Sequence, residues 1–141
     1  MGMKDTTKAA GTPEAKKTDE EWQAALSPSQ YEVLRCHGTE MRGTSPLNTE
    51  KRAGTFLCAG CGQPLFSSDA KFESGTGWPS FHTPMDGAVD TTTDRSHLMV
   101  RTEVHCGRCG GHLGHVFDDG PRPTGQRYCM NGVAMKFEPK G

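Results

Sequence analysis

Residues 97–111 read HLMVRTEVHCGRCGG, a segment that alternates between apolar and polar residues and runs directly into a cysteine pair. One side would carry Leu98, Val100, Thr102 and Val104, and the other Met99, Arg101 and Glu103. An alternation of this kind is typical of a β-strand with one buried face. The segment therefore predicts a strand that carries Cys106 and Cys109 at its end.

The same C-x-x-C spacing occurs upstream, in the CAGCG of residues 58–62. Two such loops commonly present four thiolates at the corners of a tetrahedron, which is the arrangement of a structural zinc ion. Forty-four residues separate Cys61 from Cys106, so the metal would connect two distant hairpins. The predicted zinc ligands are Cys58, Cys61, Cys106 and Cys109. The alternatives are two disulfides, or an oxidoreductase C-x-x-C, which would need a βαβ setting that the sequence lacks.

The composition favours one small domain with a modest core. The chain has 141 residues, of which 33% are hydrophobic, and its 18 glycines and 9 prolines favour turns. A formal net charge of -1 gives no long-range attraction to phosphates or to anionic lipid. The sequence has neither an apolar run long enough for a bilayer nor a signal peptide. We therefore expect a cytoplasmic protein that binds neither nucleic acid nor a membrane.

The front of the chain is predicted to form a disordered tail over residues 1–17, with the domain over residues 18–141. Thr18 opens a capping box for one short helix, and Ser27 opens another for a second helix, which Gly38 would end. Cys36 then lies near the end of this second helix. Short alternating segments with glycine and proline turns follow from residue 55, so the fold class is mainly β, a small single domain with short N-terminal helices.

Residues 127–137 alternate as well and place Arg127, Cys129 and Asn131 on one face of a strand. An unbroken strand would add Val133, Met135 and Phe137 to this face, although Gly132 is a candidate break. A guanidinium near a thiol favours the thiolate, and an amide can orient a polar substrate. Cys129 is therefore the candidate nucleophile; the alternative is a small buried hydrophobic residue.

His112 and His115 lie in the sequence HLGHVFDDGP of residues 112–121. On a regular strand, two residues three apart point to opposite sides. The two histidines are either metal ligands, or surface or hydrogen-bonded core residues.

Four blocks, in this order, resemble the methionine-R-sulfoxide reductase family, MsrB. They are GTEMRGTSPLN at 38–48, CAGCGQPLF at 58–66, SGTGWPSF at 74–81 and MVRTEVHCGRCGGHLGHVFDDGPRPTGQRYCMN at 99–131. The resemblance runs from Trp22 to Phe137. It implies two antiparallel β-sheets with short helices, and one structural zinc ion away from the active site. The implied activity is reduction of methionine-R-sulfoxide, free or in oxidised proteins, to methionine.

The resemblance also implies roles for individual residues. The family's nucleophile falls on Cys129, and the tryptophan that shapes the pocket for the substrate methyl falls on Trp78, with Phe81 beside it. The polar groups around the sulfoxide fall on His112, His115, Asp119, Arg127 and Asn131. The acid that protonates the sulfoxide oxygen would be His115, with His112 as the second candidate. The resulting Cys129 sulfenic acid would be reduced by another thiol and finally by thioredoxin.

One position departs from the family pattern. Many members carry a resolving cysteine beside the GWPSF of residues 77–81, where this chain has Thr76. With four cysteines on zinc, Cys36 is the remaining candidate for the resolving thiol, carried toward Cys129 by a mobile segment over residues 38–54. The alternative is direct reduction of the sulfenic acid by external thiols.

A zinc-ribbon module that binds nucleic acid or protein would share both cysteine pairs. Such a module is expected to show clustered basic residues with exposed aromatic side chains. Here 16 Lys and Arg residues are scattered among 17 Asp and Glu residues. This alternative also leaves residues 77–81 and 127–131 without a role.

Overall fold

Two short helices and nine strands make up the computed structural model over the residues it describes, 17–95 and 99–140. The helices are α1 (Asp19–Ala25) and α2 (Pro28–Cys36). The strands are β1 (Gly54–Cys58), β2 (Pro64–Ser67), β3 (Lys71–Phe72), β4 (Ser80–Phe81), β5 (Val89–Asp94), β6 (Arg101–Cys106), β7 (His112–Phe117), β8 (Arg127–Met130) and β9 (Met135–Pro139). The predicted tail lies outside the described residues except for Lys17.

The strands form two antiparallel sheets. The smaller sheet has the order β2-β1-β9, and the larger has the order β3-β4-β8-β7-β6-β5. The predicted fold class, mainly β with two antiparallel sheets and short N-terminal helices, is confirmed. The core lies between the sheets, where Phe66 of the smaller sheet stacks on Phe81 of the larger one at 4.3 Å between ring centroids.

Both helices begin with the capping boxes that the sequence predicts. The Glu21 N–H donates to the Thr18 hydroxyl at 3.1 Å, and the Thr18 N–H donates to the Glu21 carboxylate at 2.8 Å. Ser27 and Gln30 repeat this exchange at the start of α2. Each exchange satisfies backbone N–H groups that a helix leaves unpaired at its N-terminus. In the described part of the chain, no helix has the length and apolar character needed to cross a membrane.

Helix α2 ends one residue earlier than the sequence predicts. His37, rather than Gly38, adopts the left-handed conformation with φ 59°, and the Gly38 N–H donates back to the Glu32 carbonyl at 2.9 Å. Cys36 is therefore the last helical residue, and it is exposed. This geometry turns the His37 ring toward the larger sheet, where it lies 5.3 Å from the ring of His112.

The strand predicted over residues 97–106 begins later, at Arg101. Val100 is 68% exposed and Thr102 is exposed as well, whereas Val104 is fully buried, so among the described residues of the predicted apolar face only Val104 enters the core. Residues 97 and 98 lie outside the described residues.

The second predicted strand, over residues 127–137, is broken at Gly132 as the sequence indicated. Residues Gly132–Ala134 form a 3-10 turn, and the segments before and after it belong to different sheets. Val133, Met135 and Phe137 therefore do not share a face with Cys129. A side chain at position 132 would meet the Ser45 hydroxyl at 1.9 Å, which explains the need for glycine here.

Candidate active site and metal site

The four paired cysteines converge on one point. The Sγ atoms of Cys58 and Cys109 are 3.7 Å apart, those of Cys61 and Cys106 are 3.5 Å apart, and all four lie within 4.8 Å of one another. These separations are far longer than a disulfide bond, and all four residues are free thiols. Four thiolates bonded tetrahedrally to zinc at about 2.3 Å would lie about 3.8 Å apart. The cluster therefore fits a metal site.

Backbone geometry prepares each cysteine loop for this arrangement. The N–H groups of Gly60, Arg108 and Gly111 donate to the sulfurs of Cys58, Cys106 and Cys109 at 3.3 to 3.4 Å. Such bonds stabilise thiolate over thiol. The glycines that follow the second cysteine of each pair, Gly62 and Gly110, have φ of 80° and 77°, which a residue with a side chain rarely adopts.

The two helices cover the cluster from one side. Arg35 of α2 donates to the Cys109 carbonyl at 3.1 Å and lies 4.5 Å over the Trp22 ring of α1. Leu34 packs so closely on the second loop that a Cβ at Gly111 would lie 2.8 Å from its Cδ2. The cluster is therefore part of the core under the helices rather than an open site.

A separate cavity of about 270 Å³ lies on the face of the larger sheet that points away from the core. Its lining residues are Thr39, Thr76, Trp78, Arg101, His115, Phe117, Arg127, Cys129 and Asn131. Five of the residues predicted for the site are in this set: Trp78, His115, Arg127, Cys129 and Asn131. The other three, His112, Asp119 and Phe81, do not line the cavity.

Strand register explains this selection. Cys129 of β8 lies opposite Ser80 of β4 on one side and His115 of β7 on the other, and His115 lies opposite Glu103 of β6. Residues paired across antiparallel strands share a face, so these four side chains form one row.

The register also corrects the prediction that Phe81 lines the cavity. It pairs with Tyr128 and points to the opposite face, where it is fully buried against Phe66 and Phe56. The second aromatic wall of the cavity is instead Phe117, whose place across from Arg127 follows from strand pairing that the sequence does not reveal.

The Cys129 thiol is half-buried, and burial raises its pKa above the ordinary value. Thr76, Arg127 and Ser80 act in the opposite direction. The Thr76 hydroxyl lies 3.9 Å from the Cys129 sulfur. The prediction that Arg127 favours the thiolate has the right sign, but desolvation is the larger effect, so the resting group is the thiol.

Asp119 supports the site from outside the cavity. Its carboxylate accepts two hydrogen bonds from Arg127, at 2.8 Å from Nε and 3.1 Å from a terminal nitrogen. This bidentate pair lowers the pKa of Asp119 and fixes the guanidinium plane, which lies 4.5 Å over Phe117. Asp119 thus orients Arg127 rather than facing a ligand itself.

Asn131 is 3% exposed and is held on both sides of its amide. Its nitrogen donates to the Leu113 carbonyl at 3.0 Å, and its oxygen accepts from the Glu40 N–H at 2.8 Å. The Glu40 carbonyl also accepts from the Trp78 indole at 3.1 Å, so one residue fixes two walls of the cavity. Sequence reasoning missed Glu40, although it stands in the first block that carries the family resemblance.

The same contacts correct the expectation of a mobile segment over residues 38–54. Glu40 binds Asn131, Trp78 and the Val133 N–H, and the Gly43 N–H donates to the Gly77 carbonyl at 2.6 Å. The segment is therefore fastened to the larger sheet. Cys36, four residues before Glu40, carries a free thiol in contact with the Tyr31 hydroxyl.

His115 has an acidic partner that the sequence did not predict. Nε2 of His115 lies 3.1 Å from the Asp94 carboxylate, which also accepts from Arg101 at 3.2 Å. Asp94 ends β5, two strands away from His115. Nothing in the spacing of twenty-one residues between Asp94 and His115 signals this contact.

His112 and His115 lie on the same face, contrary to the expectation for a regular strand. Val104 pairs with Gly114 and His105 pairs with His112, so β7 contains one extra residue, Leu113, between the two pairs. This β-bulge reverses the alternation and brings the two imidazole rings to 5.5 Å. His112 is 2% exposed and lies behind His115, and burial lowers its pKa to about 4.

A half-buried thiol beside a guanidinium, an imidazole and an indole is the arrangement of a cysteine-dependent enzyme. The sequence model of one family, the SelR domain, matches residues 26–139. The peptide methionine sulfoxide reductase MsrB of Leptospira interrogans is 57% identical over 126 residues, which cover 89% of this chain and 96% of the relative. That of Pseudomonas putida is 57% identical over 125 residues, or 88% and 94% of the two chains. That of the archaeon Methanosarcina mazei is 55% identical over 122 residues, or 86% and 87%.

This chain belongs to the MsrB family of peptide methionine sulfoxide reductases. The family resemblance in the sequence is thereby confirmed, along nearly the same stretch that carried it.

Proposed function

We propose that this protein reduces methionine-R-sulfoxide to methionine with Cys129 as the nucleophile. The observation that carries the proposal is the cavity that Cys129, His115, Arg127 and Asn131 line together with Trp78. A zinc-ribbon binding module would have no use for such a cavity. The relatives named above act on methionine sulfoxide, and the cavity volume of about 270 Å³ suits one methionine side chain.

The cavity is lined by both apolar and polar side chains, which match the two kinds of group around the sulfoxide sulfur. Trp78 and Phe117 offer aromatic surface to the thioether methyl, while Asn131, Arg127 and His115 offer donors to the sulfoxide oxygen. Recognition of the methyl and of the oxygen by different side chains would distinguish the two configurations at sulfur. This arrangement supports selection of one configuration.

The reaction transfers one oxygen atom. The Cys129 thiolate attacks the sulfoxide sulfur, the oxygen takes up a proton and passes to the Cys129 sulfur as its bond to the substrate sulfur breaks, and the products are a thioether and a sulfenic acid on Cys129. Cys129 is oxidised by two electrons and the substrate is reduced by two. Because Cys129 rests as a thiol, its proton must leave before attack, and the Thr76 hydroxyl and the Arg127 guanidinium then stabilise the thiolate.

His115 is the proposed acid, because it lines the cavity and His112 does not. The Asp94 carboxylate at 3.1 Å orients the His115 imidazole, which would protonate the sulfoxide oxygen. Arg101 shares the same carboxylate and helps to hold it in place.

For the cysteine cluster we propose one structural zinc ion per chain. Four thiolates close the coordination shell and leave no position for a substrate, and the cluster lies under the helices, apart from the cavity. The ion would hold the β1–β2 and β6–β7 hairpins together, and it takes no part in the oxygen transfer.

Recycling of Cys129 is proposed to proceed through Cys36. The Cys36 thiol would attack the sulfenic acid, release water and form a disulfide that thioredoxin reduces. Thr39 lines the cavity, so the Cys36 Cα lies within about 11 Å of the Thr39 Cα, the reach of three residues. Since residues 38–54 are fastened to the sheet, the required movement is an unwinding of the last turn of α2.

The cytosol commonly keeps such thiols reduced, which supports a cytoplasmic location and the repair of oxidised proteins there.

The test is a stereospecific assay with purified R and S isomers of a methionine sulfoxide peptide and dithiothreitol as the reductant. The wild-type protein is expected to reduce the R isomer only, and Cys129→Ser to reduce neither while keeping its metal and its melting temperature. Turnover by folded Cys129→Ser, or equal rates for the two isomers, would contradict the proposal.

A further inference from the structure

We propose that His37, Glu103 and His112 form a second metal site, which binds a divalent first-row transition metal ion such as zinc. This site is distinct from the four-cysteine cluster and uses only nitrogen and oxygen donors. The proposal concerns the binding of an ion beside the cavity and does not depend on the proposed reaction.

The three donor atoms already lie together. Nδ1 of His37, one oxygen of Glu103 and one ring nitrogen of His112 are all within 4.8 Å of one another. Oε2 of Glu103 lies 2.5 Å from Nδ1 of each histidine. Donors around a zinc ion with bonds of about 2.0–2.1 Å lie about 3.3 Å apart, so small side-chain shifts would admit the ion.

Three different elements contribute these donors, which makes their convergence specific. His37 stands in the left-handed position after α2, Glu103 on β6 and His112 on β7. The bulge at Leu113 is what turns His112 toward Glu103, because a regular strand would point it to the other face.

The second observation is the state of the His112 ring. His112 is 2% exposed, and within residues 17–95 and 99–140 its Nε2 has no hydrogen-bond partner. Its Nδ1 lies 2.5 Å from the Glu103 carboxylate. A buried imidazole normally has hydrogen-bond partners for its ring nitrogens, and the partners of His112 within the chain are incomplete. A cation between the two groups would satisfy both.

The donor set indicates the class of ion. Two imidazoles and one carboxylate bind zinc, iron, nickel and copper ions, whereas calcium and magnesium prefer oxygen donors alone. His37 is 60% exposed and gives the ion access from solvent. His105 lies nearby, with Nε2 3.7 Å from the other oxygen of Glu103, but this nitrogen is already hydrogen-bonded to the Thr92 hydroxyl at 2.9 Å.

Binding at this site is expected to affect the cavity. The His112 ring lies 5.5 Å from the ring of His115, so a bound cation adds positive charge next to the proposed acid. Added zinc is therefore expected to inhibit sulfoxide reduction reversibly, and chelation to restore it.

The experiment uses the full chain with its cysteine cluster already loaded, titrated with Co²⁺ and separately with Zn²⁺. The wild-type protein is expected to bind one additional ion, and the additional Co²⁺ to give visible d–d bands without a sulfur-to-metal charge-transfer band. His37→Gln removes one exposed ligand and is expected to weaken this binding at least about tenfold, with basal activity unchanged. His82→Gln, a histidine outside the cluster, is the matched control and should bind as wild type does.

Three results would overturn the proposal. These are the absence of a second equivalent of metal, a charge-transfer band that identifies Cys36 or Cys129 as the ligand, and equal affinity in wild type and His37→Gln. Glu103→Gln provides an independent check, because it keeps the side-chain size but removes the anionic donor. It should lose the second ion and keep the first.

Discussion

Replacing Thr76 with valine should make Cys129 less reactive at neutral pH. The Thr76 hydroxyl lies 3.9 Å from the Cys129 sulfur. Among the groups that lower the Cys129 pKa and so oppose the effect of burial, it has the largest effect. Valine has nearly the same shape but cannot donate a hydrogen bond. The substitution therefore removes one stabilising contact of the thiolate and raises the pKa of Cys129 further.

The size of the effect follows from the energy of that contact. A net hydrogen bond is worth about 0.5–1.5 kcal/mol, which corresponds to a factor of about 2 to 12 in the thiolate fraction below the pKa. Because the O···S separation is long, we expect a decrease of about threefold in the rate of thiolate reactions at pH 7. Above the pKa both proteins are fully ionised, and their rates should converge.

The assay is alkylation of Cys129 by iodoacetamide, followed by mass spectrometry between pH 6 and pH 11 in a Cys36→Ser background. Thr76→Ser, which keeps the hydroxyl, is the control and should follow the wild-type curve. Equal rates for Thr76→Val and wild type at neutral pH would refute the role of the hydroxyl. A lower rate at every pH, including the alkaline plateau, would indicate altered access to the thiol and would refute it as well.

Four further outcomes are expected. His115→Gln should slow single-turnover sulfoxide reduction by about 10²–10⁴-fold, the usual loss for a general acid, and an unchanged rate would exclude it from proton transfer. Trp78→Ala should raise KM more than it lowers kcat, measured on the R-sulfoxide peptide, since the indole contributes binding surface for the methyl. Cys106→Ser should lose the metal and lower Tm by at least about 10 °C, and full stability would contradict a structural metal. Cys36→Ser should keep a normal first turnover but recycle poorly with thioredoxin, whereas undiminished thioredoxin-driven turnover would leave Cys36 without a role.

The parts of the structure that could be predicted are those set by neighbours in sequence. The capping boxes at Thr18 and Ser27 depend on a residue three positions away, and the break at Gly132 depends on one glycine. The face shared by Arg127 and Cys129 depends on a spacing of two within one strand. Such local rules act before any tertiary contact is formed, so a single sequence contains them.

The parts that could not be predicted depend on register between strands. Leu113 is an ordinary apolar residue in the sequence, and only its pairing with β6 makes it a bulge that reverses the direction of His112. Asp94 reaches His115 across two strands. Phe81 was predicted to form part of the apolar wall for the substrate methyl, but its pairing with Tyr128 turns it into the core. In each case the deciding partner lies far away along the chain.

The loop of Cys106 and Cys109 is also the turn that joins β6 to β7. A metal ligand loop that is also a strand connection has a consequence for how the protein should lose its activity. A slip of one residue between these strands would turn every side chain of the moving strand to the other face. His115 would then leave the cavity while most of the hydrogen-bond ladder survived. A metal bound by this turn would hold β6 and β7 in one register, because the turn that carries its ligands connects the two strands. Gradual removal of the metal should therefore first give a population that retains its strands and its compactness but has lost its activity, before any unfolding is detected.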